Sequence, residues 1–409
     1  MMDPKFLQDI AVIGAGGKMG RGIALLILEQ MALCKHEFTL RLVDTFEPAL
    51  KKTLVYLRAE LTSFAEKKIN FLRQYFADRA DLVSNEEIIR EFVRSALVNV
   101  QWGSELKSCR NSTHVFEAIL EDEAAKAGLF QELESLTKVN PWYFTNTSAI
   151  PIGSLAARGN ISGRLIGMHF YNPPAVQKLL EIIEPEGIDP KLSAFGEGFA
   201  GMLGKRVVFS ADVAGFIGNG HFLREICYAA DQKSAKQVWQ MNEVTEKFLL
   251  RPMGIFRLID YVGPDVLQNA AQIMREHLGI ALPIYFLEDC KRCFAYEEGR
   301  AVAVMDPESV RFVPIDPLWK EELGCLPKGW RPWKEMKPDQ ARSYLEELRG
   351  ADTLGARMAQ HFLAHSLQIG KKLVQDGVAA SLDDVDTVLK CGFYHLYGLG
   401  DLASFEGEG

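Results

Sequence analysis

Apolar positions change period twice within the first fifty residues. Asp9-Ile10-Ala11-Val12-Ile13 is a nearly continuous apolar run that ends in glycines, the pattern of a buried strand. Beyond the glycines, Met19, Ile23, Leu26 and Ile27 recur at helical spacing, and Leu40-Arg41-Leu42-Val43 is a second apolar run ending in Asp44. A strand, a tight turn, a helix and a second strand are therefore predicted. Helical spacing resumes over 47–68 through Leu50, Leu54, Leu57, Leu61 and Phe64, and continues over 70–96 with a turn near Asp81. Short strands are predicted at 97–100, 113–120, 142–145, 165–170 and 178–183, with a helix over 123–136. Strands alternating with helices through about residue 205 predict a mostly parallel sheet with helices on both faces.

After Val207-Val208-Phe209 the strand pattern stops, and helices are predicted over 214–237, 243–251 and 266–278. Residues 305–340 carry Pro307, Pro314, Pro317, Pro327, Pro332 and Pro338 with Trp319, Trp330 and Trp333. The prolines predict a non-helical stretch, and the tryptophans predict that it packs on a surface. Helices return from Ala341. Asn242-Glu243-Val244 leads through a helix to Gly254 and Asp260, and Asp383-Asp384-Val385-Asp386 leads through another to Gly398, Gly400 and Asp401. The expected organisation is an α/β domain over 1–205, an all-α domain over 206–300, a Pro/Trp-rich connecting segment over 301–345 and a second helical copy over 346–409.

The first glycine loop points to a ligand. Gly14 allows a tight turn, Gly16 or Gly17 lets the backbone approach a pyrophosphate, and Gly20 lets the helix pack closely on the sheet. The helix N-terminus, with Lys18 and Met19, faces the phosphates. Asp44, at the end of the second strand, is placed to bind the adenosine ribose hydroxyls and to repel a 2′-phosphate. Together these predict a Rossmann-type dinucleotide site with NAD as cofactor. The loop has one residue more than Gly-x-Gly-x-x-Gly, which leaves open whether Gly16 or Gly17 meets the pyrophosphate.

Composition narrows the function. A chain of 409 residues with 48% hydrophobic side chains holds material for two or three cores, and no apolar run is long enough to cross a bilayer. The first strand lies so near Met1 that no signal or transit peptide is expected, and the C-terminal Gly407-Glu408-Gly409 is not a targeting tripeptide. The net charge of −8 argues against nucleic-acid and anionic-membrane partners, so an anionic substrate would need a local basic patch. Seven scattered cysteines fit reduced thiols in a cytoplasmic compartment. Cys290 and Cys293 lack a second pair, and His361 and His365 lack a nearby acid, so no metal site is expected.

Further residues carry a family resemblance: Phe116 to Glu121, Asn146-Thr147-Ser148, Gly167-Met168-His169-Phe170-Tyr171-Asn172-Pro173, Leu179-Leu180-Glu181, Gly215 to Asn219, and Gly254 to Gly263. With the glycine loop, they resemble the L-3-hydroxyacyl-CoA dehydrogenases over about the first 265 residues. The resemblance implies oxidation of a 3-hydroxyacyl-CoA by NAD, with His169 as general acid/base and Glu181 orienting it. It further implies that Ser148 and Asn219 contact the substrate oxygen and that Glu121, Lys126, Ser148 and Asn172 lie along the cofactor. Lys67 falls where relatives touch CoA phosphate. The helical insertion over 69–96 and the absence of the usual proline after Gly254 depart from the family. Single-copy relatives dimerise through the helical domain, and in longer members a second copy takes the partner's place, so this chain is expected as a homodimer or, with the repeat, a monomer.

The residue types suit the chemistry. A histidine exchanges protons near neutrality, and a carboxylate on its second nitrogen fixes the tautomer. Glu181 in mid-strand would be a costly buried charge without a partner. Each residue has an ordinary rival role: a hydrogen-bonded core histidine, a helix cap at Ser148 or Asn219, a solvated helix face at Lys67. Two other functions fit the same scaffold, a dehydrogenase of free hydroxy or sugar acids and a non-catalytic NAD-binding protein. The intact His169, Glu181, Ser148 and Asn219 set disfavours the second.

Overall fold

The computed structural model describes residues 7–34, 36–284 and 290–405, with backbone alone for 403–405. The chain divides into two compact units, Met1–Asp212 and Val213–Gly409.

The first unit is built on an eight-stranded sheet in the order β3-β2-β1-β4-β5-β6-β7-β8. The strands are β1 (Asp9–Ile13), β2 (Thr39–Val43), β3 (Val100–Gly103), β4 (His114–Glu117), β5 (Trp142–Thr145), β6 (Leu165–Phe170), β7 (Leu179–Ile183) and β8 (Arg206–Ser210). Neighbours pair in parallel except β6 and β7, which run antiparallel. Strand order reverses between β1 and β4, and the carboxyl ends of such a pair form the crevice where open α/β sheets bind ligands.

The helix Lys18–Leu33 buries Ile23, Leu26 and Ile27, as its spacing predicts, but also Ala24, Leu25 and Leu28. A second layer explains the extra burial: the helices Glu47–Lys67 and Asn85–Leu97 pack against it. The latter starts from a capping box. Ser84 Oγ accepts from Glu87 N (3.2 Å) while Glu87 Oε2 accepts from Ser84 N (2.8 Å). Its Phe92 stacks on Phe64 at 6.1 Å, so the insertion is part of the core. The domain boundary expected at 205 is corrected to Asp212, because β8 pairs with β7 along its whole length.

The second unit is mainly helical, with four departures from the predicted pattern. The helix expected over 214–237 is two helices, Gly218–Ala230 and Ala235–Glu243, parted where Ser234 Oγ caps the second by accepting from Gln237 N. The stretch 244–248 is a π-helical turn. A small antiparallel sheet, β9 (Phe294–Glu297), β10 (Arg300–Asp306) and β11 (Arg311–Pro314), interrupts the helices. The Pro-rich segment does contain helix: Pro338 opens Pro338–Gly350, at the position where its missing N–H costs nothing. Trp330 Nε1 donates to Lys247 O (2.9 Å) and Trp333 Nε1 to Tyr394 O (3.0 Å), fastening the segment to helical neighbours.

Within this unit the helices Gly218–Ala230 and Leu354–Gln375 pack together around buried polar groups. Arg251 makes two bonds to Glu225 (2.9 and 2.7 Å) and lies over the Phe362 ring. His221 Nε2 is 3.3 Å from Ser366 O, and Tyr397 Oη donates to Leu249 O (2.8 Å). Two turns are built alike. Asn242 Oδ1 accepts from Arg257 N (3.1 Å), and a Cβ on Gly254 would lie 2.4 Å from Asn242 O. Asp386 accepts from Leu399 N (2.5 Å) and Gly400 N (3.3 Å), and a Cβ on Gly398 would lie 2.0 Å from its Oδ2.

Candidate active site

At the end of β1, Gly14 (φ +79°) turns the chain and donates to Val43 O at 2.8 Å. A Cβ there would sit 2.4 Å from Ala118 O, and one on Gly20 would sit 2.1 Å from Gly14 O. Gly16 faces the second strand: its N donates to Asp44 Oδ2 (2.9 Å), and a Cβ would meet Ala49 at 2.7 Å. Gly17 differs. It is the N-cap of the helix Lys18–Leu33, it is exposed, and a Cβ on it would meet nothing closer than Gly14 O at 3.4 Å. Lys18 is exposed and Met19 half-buried beside it. Asp44 is held from both sides, since its Oδ1 accepts from Phe46 N (3.0 Å). A backbone turn with no room for side chains at Gly14, Gly16 and Gly20, an uncapped helix N-terminus open at Gly17 and a fixed carboxylate suit a dinucleotide.

The end of β4 carries a second buried group. Glu117 Oε1 accepts from Lys126 Nζ (2.6 Å) and Ile119 N (2.7 Å), and Oε2 from Thr145 Oγ1 (2.6 Å). Lys126 also lies 3.4 Å from Glu121. Burial pushes the Lys126 ammonium down, but Glu117 and Glu121 outweigh it and hold it above its ordinary value. Glu121 Oε1 gathers the next loop, accepting from Thr147 Oγ1 (2.6 Å), Ser148 N (2.7 Å), Ala149 N (3.0 Å) and Ser148 Oγ (3.3 Å). Burial raises Glu121, and Lys126 with these donors more than reverses it, leaving the carboxyl below its usual range. Lys126 was expected along the cofactor. Its side chain is 1% exposed and lies between the Glu117 and Glu121 carboxylates, the second of which holds the Ser148 loop.

β6 and β7 carry the third part. Their antiparallel register pairs His169 with Glu181, and Nδ1 lies 2.9 Å from Oε1. Glu181 is fully buried. Tyr171 Oη donates to the same Oε1 at 2.8 Å, and its ring lies 4.8 Å from the imidazole. Asn146 Oδ1 accepts from Phe170 N (2.9 Å), tying the loop before Ser148 to β6. Asn172 follows on an exposed turn whose Pro174 packs on Gly22 of the helix after the glycine loop. The first unit thus assembles Gly14–Gly20, Asp44, Glu121, Ser148, His169, Asn172 and Glu181 on one sheet. Asn219 belongs to the second unit, in the first turn of Gly218–Ala230. Lys67 ends its helix, exposed, in a mixed-charge group with Glu29, Glu60, Lys68 and Lys205. There burial and Glu60 raise Glu29 to about 7 against the pull of the lysines.

Glu117, Thr145, Thr147 and Tyr171 were not singled out in the sequence. The acid at the end of the β4 run was the available signal for Glu117, because a buried strand carboxylate requires a partner.

An open parallel sheet with a glycine cradle at its switch point is the frame of a dinucleotide-dependent oxidoreductase. Residues 9–213 match the family model described as 3-hydroxyacyl-CoA dehydrogenase, NAD binding domain. A 3-hydroxybutyryl-CoA dehydrogenase of Mycobacterium tuberculosis is 32% identical over 274 residues, covering 66% of this chain and 87% of the relative. The human mitochondrial hydroxyacyl-coenzyme A dehydrogenase is 32% identical over 263 residues, covering 63% and 77%. A crystal structure of 3-hydroxybutyryl-CoA dehydrogenase from Escherichia coli K12 shares the fold, with a TM-score of 0.66 at 20% identity over 96% of this chain and 90% of that one. The chain belongs to the 3-hydroxyacyl-CoA dehydrogenase family and is an NAD-dependent oxidoreductase.

Proposed function

We propose that this chain interconverts (S)-3-hydroxyacyl-CoA and 3-oxoacyl-CoA, with His169 as general acid/base and Glu181 as its orienting carboxylate. The observation that carries the reading is the His169–Glu181 bond across β6 and β7, with the carboxylate fully buried. With Nδ1 committed to Glu181, proton exchange with the 3-hydroxyl falls to Nε2. The neutral imidazole takes the hydroxyl proton as hydride leaves C3, and Glu181 stabilises the imidazolium that forms. NAD, when bound, supplies the hydride acceptor. In the reverse direction the imidazolium returns the proton to the carbonyl oxygen.

The remaining roles follow from placement. Ser148, set by Glu121, and Asn219 are the proposed donors to the substrate oxygen. Gly17 and the amides after it receive the pyrophosphate, Asp44 the adenosine ribose, and Glu121 and Asn172 flank the rest of the cofactor. Lys67 is the proposed contact for CoA phosphate. Relatives named for 3-hydroxybutyryl-CoA and, at 26% identity, for a fatty acid oxidation complex support an acyl-CoA substrate and fatty-acid-type metabolism. The similar turns at Gly254 and Gly398 support a duplicated helical domain and, with it, a monomer.

NADH oxidation with acetoacetyl-CoA tests the reading. His169→Gln is expected to lower kcat by about 10²–10⁴-fold while NADH binding persists. Folded, NADH-binding wild type that fails to turn over acetoacetyl-CoA would refute it.

A further inference from the structure

Two donors converge on one buried oxygen. Glu181 Oε1 receives His169 Nδ1 at 2.9 Å and Tyr171 Oη at 2.8 Å. The tyrosine ring also packs on the imidazole, with centroids 4.8 Å apart and planes tilted by 38°. A packing residue at this place needs the ring alone. The hydroxyl adds a second claim on the charge that the histidine uses.

We infer that Tyr171 is a positioning residue that divides the Glu181 carboxylate with His169 and so sets the pH range over which the histidine exchanges its proton. The inference rests on the reading of His169 as the acid/base. A donor on a carboxylate takes part of its charge, which weakens its hold on a neighbouring cation. While Tyr171 donates, Glu181 stabilises the imidazolium less than it would alone. Burial, together with Glu181, holds the phenol well above its ordinary range, so it remains a donor throughout the working pH range.

The strands that flank this three-group unit present neutral groups. β5, beside β6, offers the neutral Thr145, followed by the amide of Asn146, and β8 sets Val208 beside Glu181. The helices Pro190–Met202 and Ile152–Arg158 pack on these strands through Leu192, Phe195, Phe199, Ile152 and Leu155. Their charged Lys191, Glu197 and Arg158 are exposed. Glu117, Glu121 and Lys126, on the β4–β5 side, are engaged with one another.

The sign follows. Without the hydroxyl, the whole Glu181 charge acts on His169, and the imidazolium persists to higher pH. Oxidation needs the neutral ring, so its acidic limb moves up. Reduction needs the imidazolium, so its alkaline limb moves up as well. The test is kcat/KM against pH for Tyr171→Phe, with 3-hydroxybutyryl-CoA and NAD⁺ in one direction and acetoacetyl-CoA and NADH in the other. Both limbs are expected to rise together by roughly half a pH unit to one unit. Replacing Tyr171 with 3-fluorotyrosine, a stronger donor, is expected to move both limbs down. NMR titration of the His169 imidazole in the ligand-free protein, assigned with His169→Gln, gives the same shifts independently of turnover. Limbs and NMR midpoint unmoved in folded Tyr171→Phe, or moved down, would overturn the inference. Wild type without turnover would instead defeat the functional reading, and the NMR midpoint would still decide whether Tyr171 acts on His169.

Discussion

Gly17 and Gly20 lie in one loop and meet opposite surroundings. A Cβ on Gly20 would press to 2.1 Å from the Gly14 carbonyl oxygen, a backbone atom that cannot swing away. Gly17 has ordinary negative φ and no neighbour inside 3.4 Å of its missing Cβ. If the space over Gly17 belongs to a pyrophosphate, the two alanine substitutions separate cleanly. Gly20→Ala is expected to lose much of its thermal stability, and its NADH binding with it. Gly17→Ala is expected to unfold within a few degrees of wild type and to bind NADH at least several-fold more weakly. Thermal unfolding and NADH fluorescence titration check both, and unchanged NADH affinity in Gly17→Ala would move the phosphate site elsewhere. Gly16 is not interchangeable with Gly17, because its amide is already given to Asp44. The extra loop residue thus lets the glycine turn bond Asp44 through Gly16 while Gly17 begins the helix.

Among the elements, β4 shows how burial sets a pH dependence. His114 opens the strand inside an aromatic cage, 4.5 Å from the Phe195 ring and 5.6 Å from Trp142, and burial lowers it to about 4. The folded value lies below the unfolded one, so the unfolded chain takes the proton first as the pH falls. Stability is therefore whole above about pH 6.5 and is drained between there and pH 4, by about 3 kcal/mol from this residue. Urea unfolding at pH 7, 5 and 4 should show the loss, and His114→Phe should flatten it by that share. His221 and His395, also lowered chiefly by burial, contribute in the same direction and remain in the variant. The elements legible in the sequence were those whose own side chains declare their burial. β6 and the helix Glu123–Leu136 fall on their predicted spans because their apolar spacing is uninterrupted. β10 was missed although Ala301 to Met305 is an apolar run, because only Val304 and Met305 of it are buried and the run leads straight into the proline-rich stretch. The break at Ser234 was missed because a serine cap inside helical spacing resembles a surface position. At the site, the motifs carried His169 and Glu181 with their roles, whereas Tyr171 and Glu117 stood in the same motifs without one, because their side-chain partners Glu181 and Lys126 appear only once the chain is folded.

At the scale of the molecule, the helical unit consists of an earlier and a later half that pack on one another. Tyr344 of the later half donates to Phe248 O, Tyr397 donates to Leu249 O, and Phe248 packs on Gly355 so tightly that a Cβ there would lie 2.4 Å from its ring. If the later half occupies the surface that a second subunit would use, sedimentation equilibrium should give a single species near the chain mass of 45.8 kDa. An obligate dimer would count against it. The Glu225–Arg251 pair has a further consequence for how such a chain can be cut or shortened. Both residues come from the earlier half, and the ring over Arg251 and the carbonyl beside His221 come from the later one. The later half is thus not an appendage that can be trimmed to recover a smaller enzyme: it is the medium in which the earlier half's charges are dissolved. A chain ended before residue 338 would lay a hydrated, unbraced ion pair on its surface. It is expected to aggregate or to recruit a copy of itself, a choice that light scattering of the truncated protein would reveal.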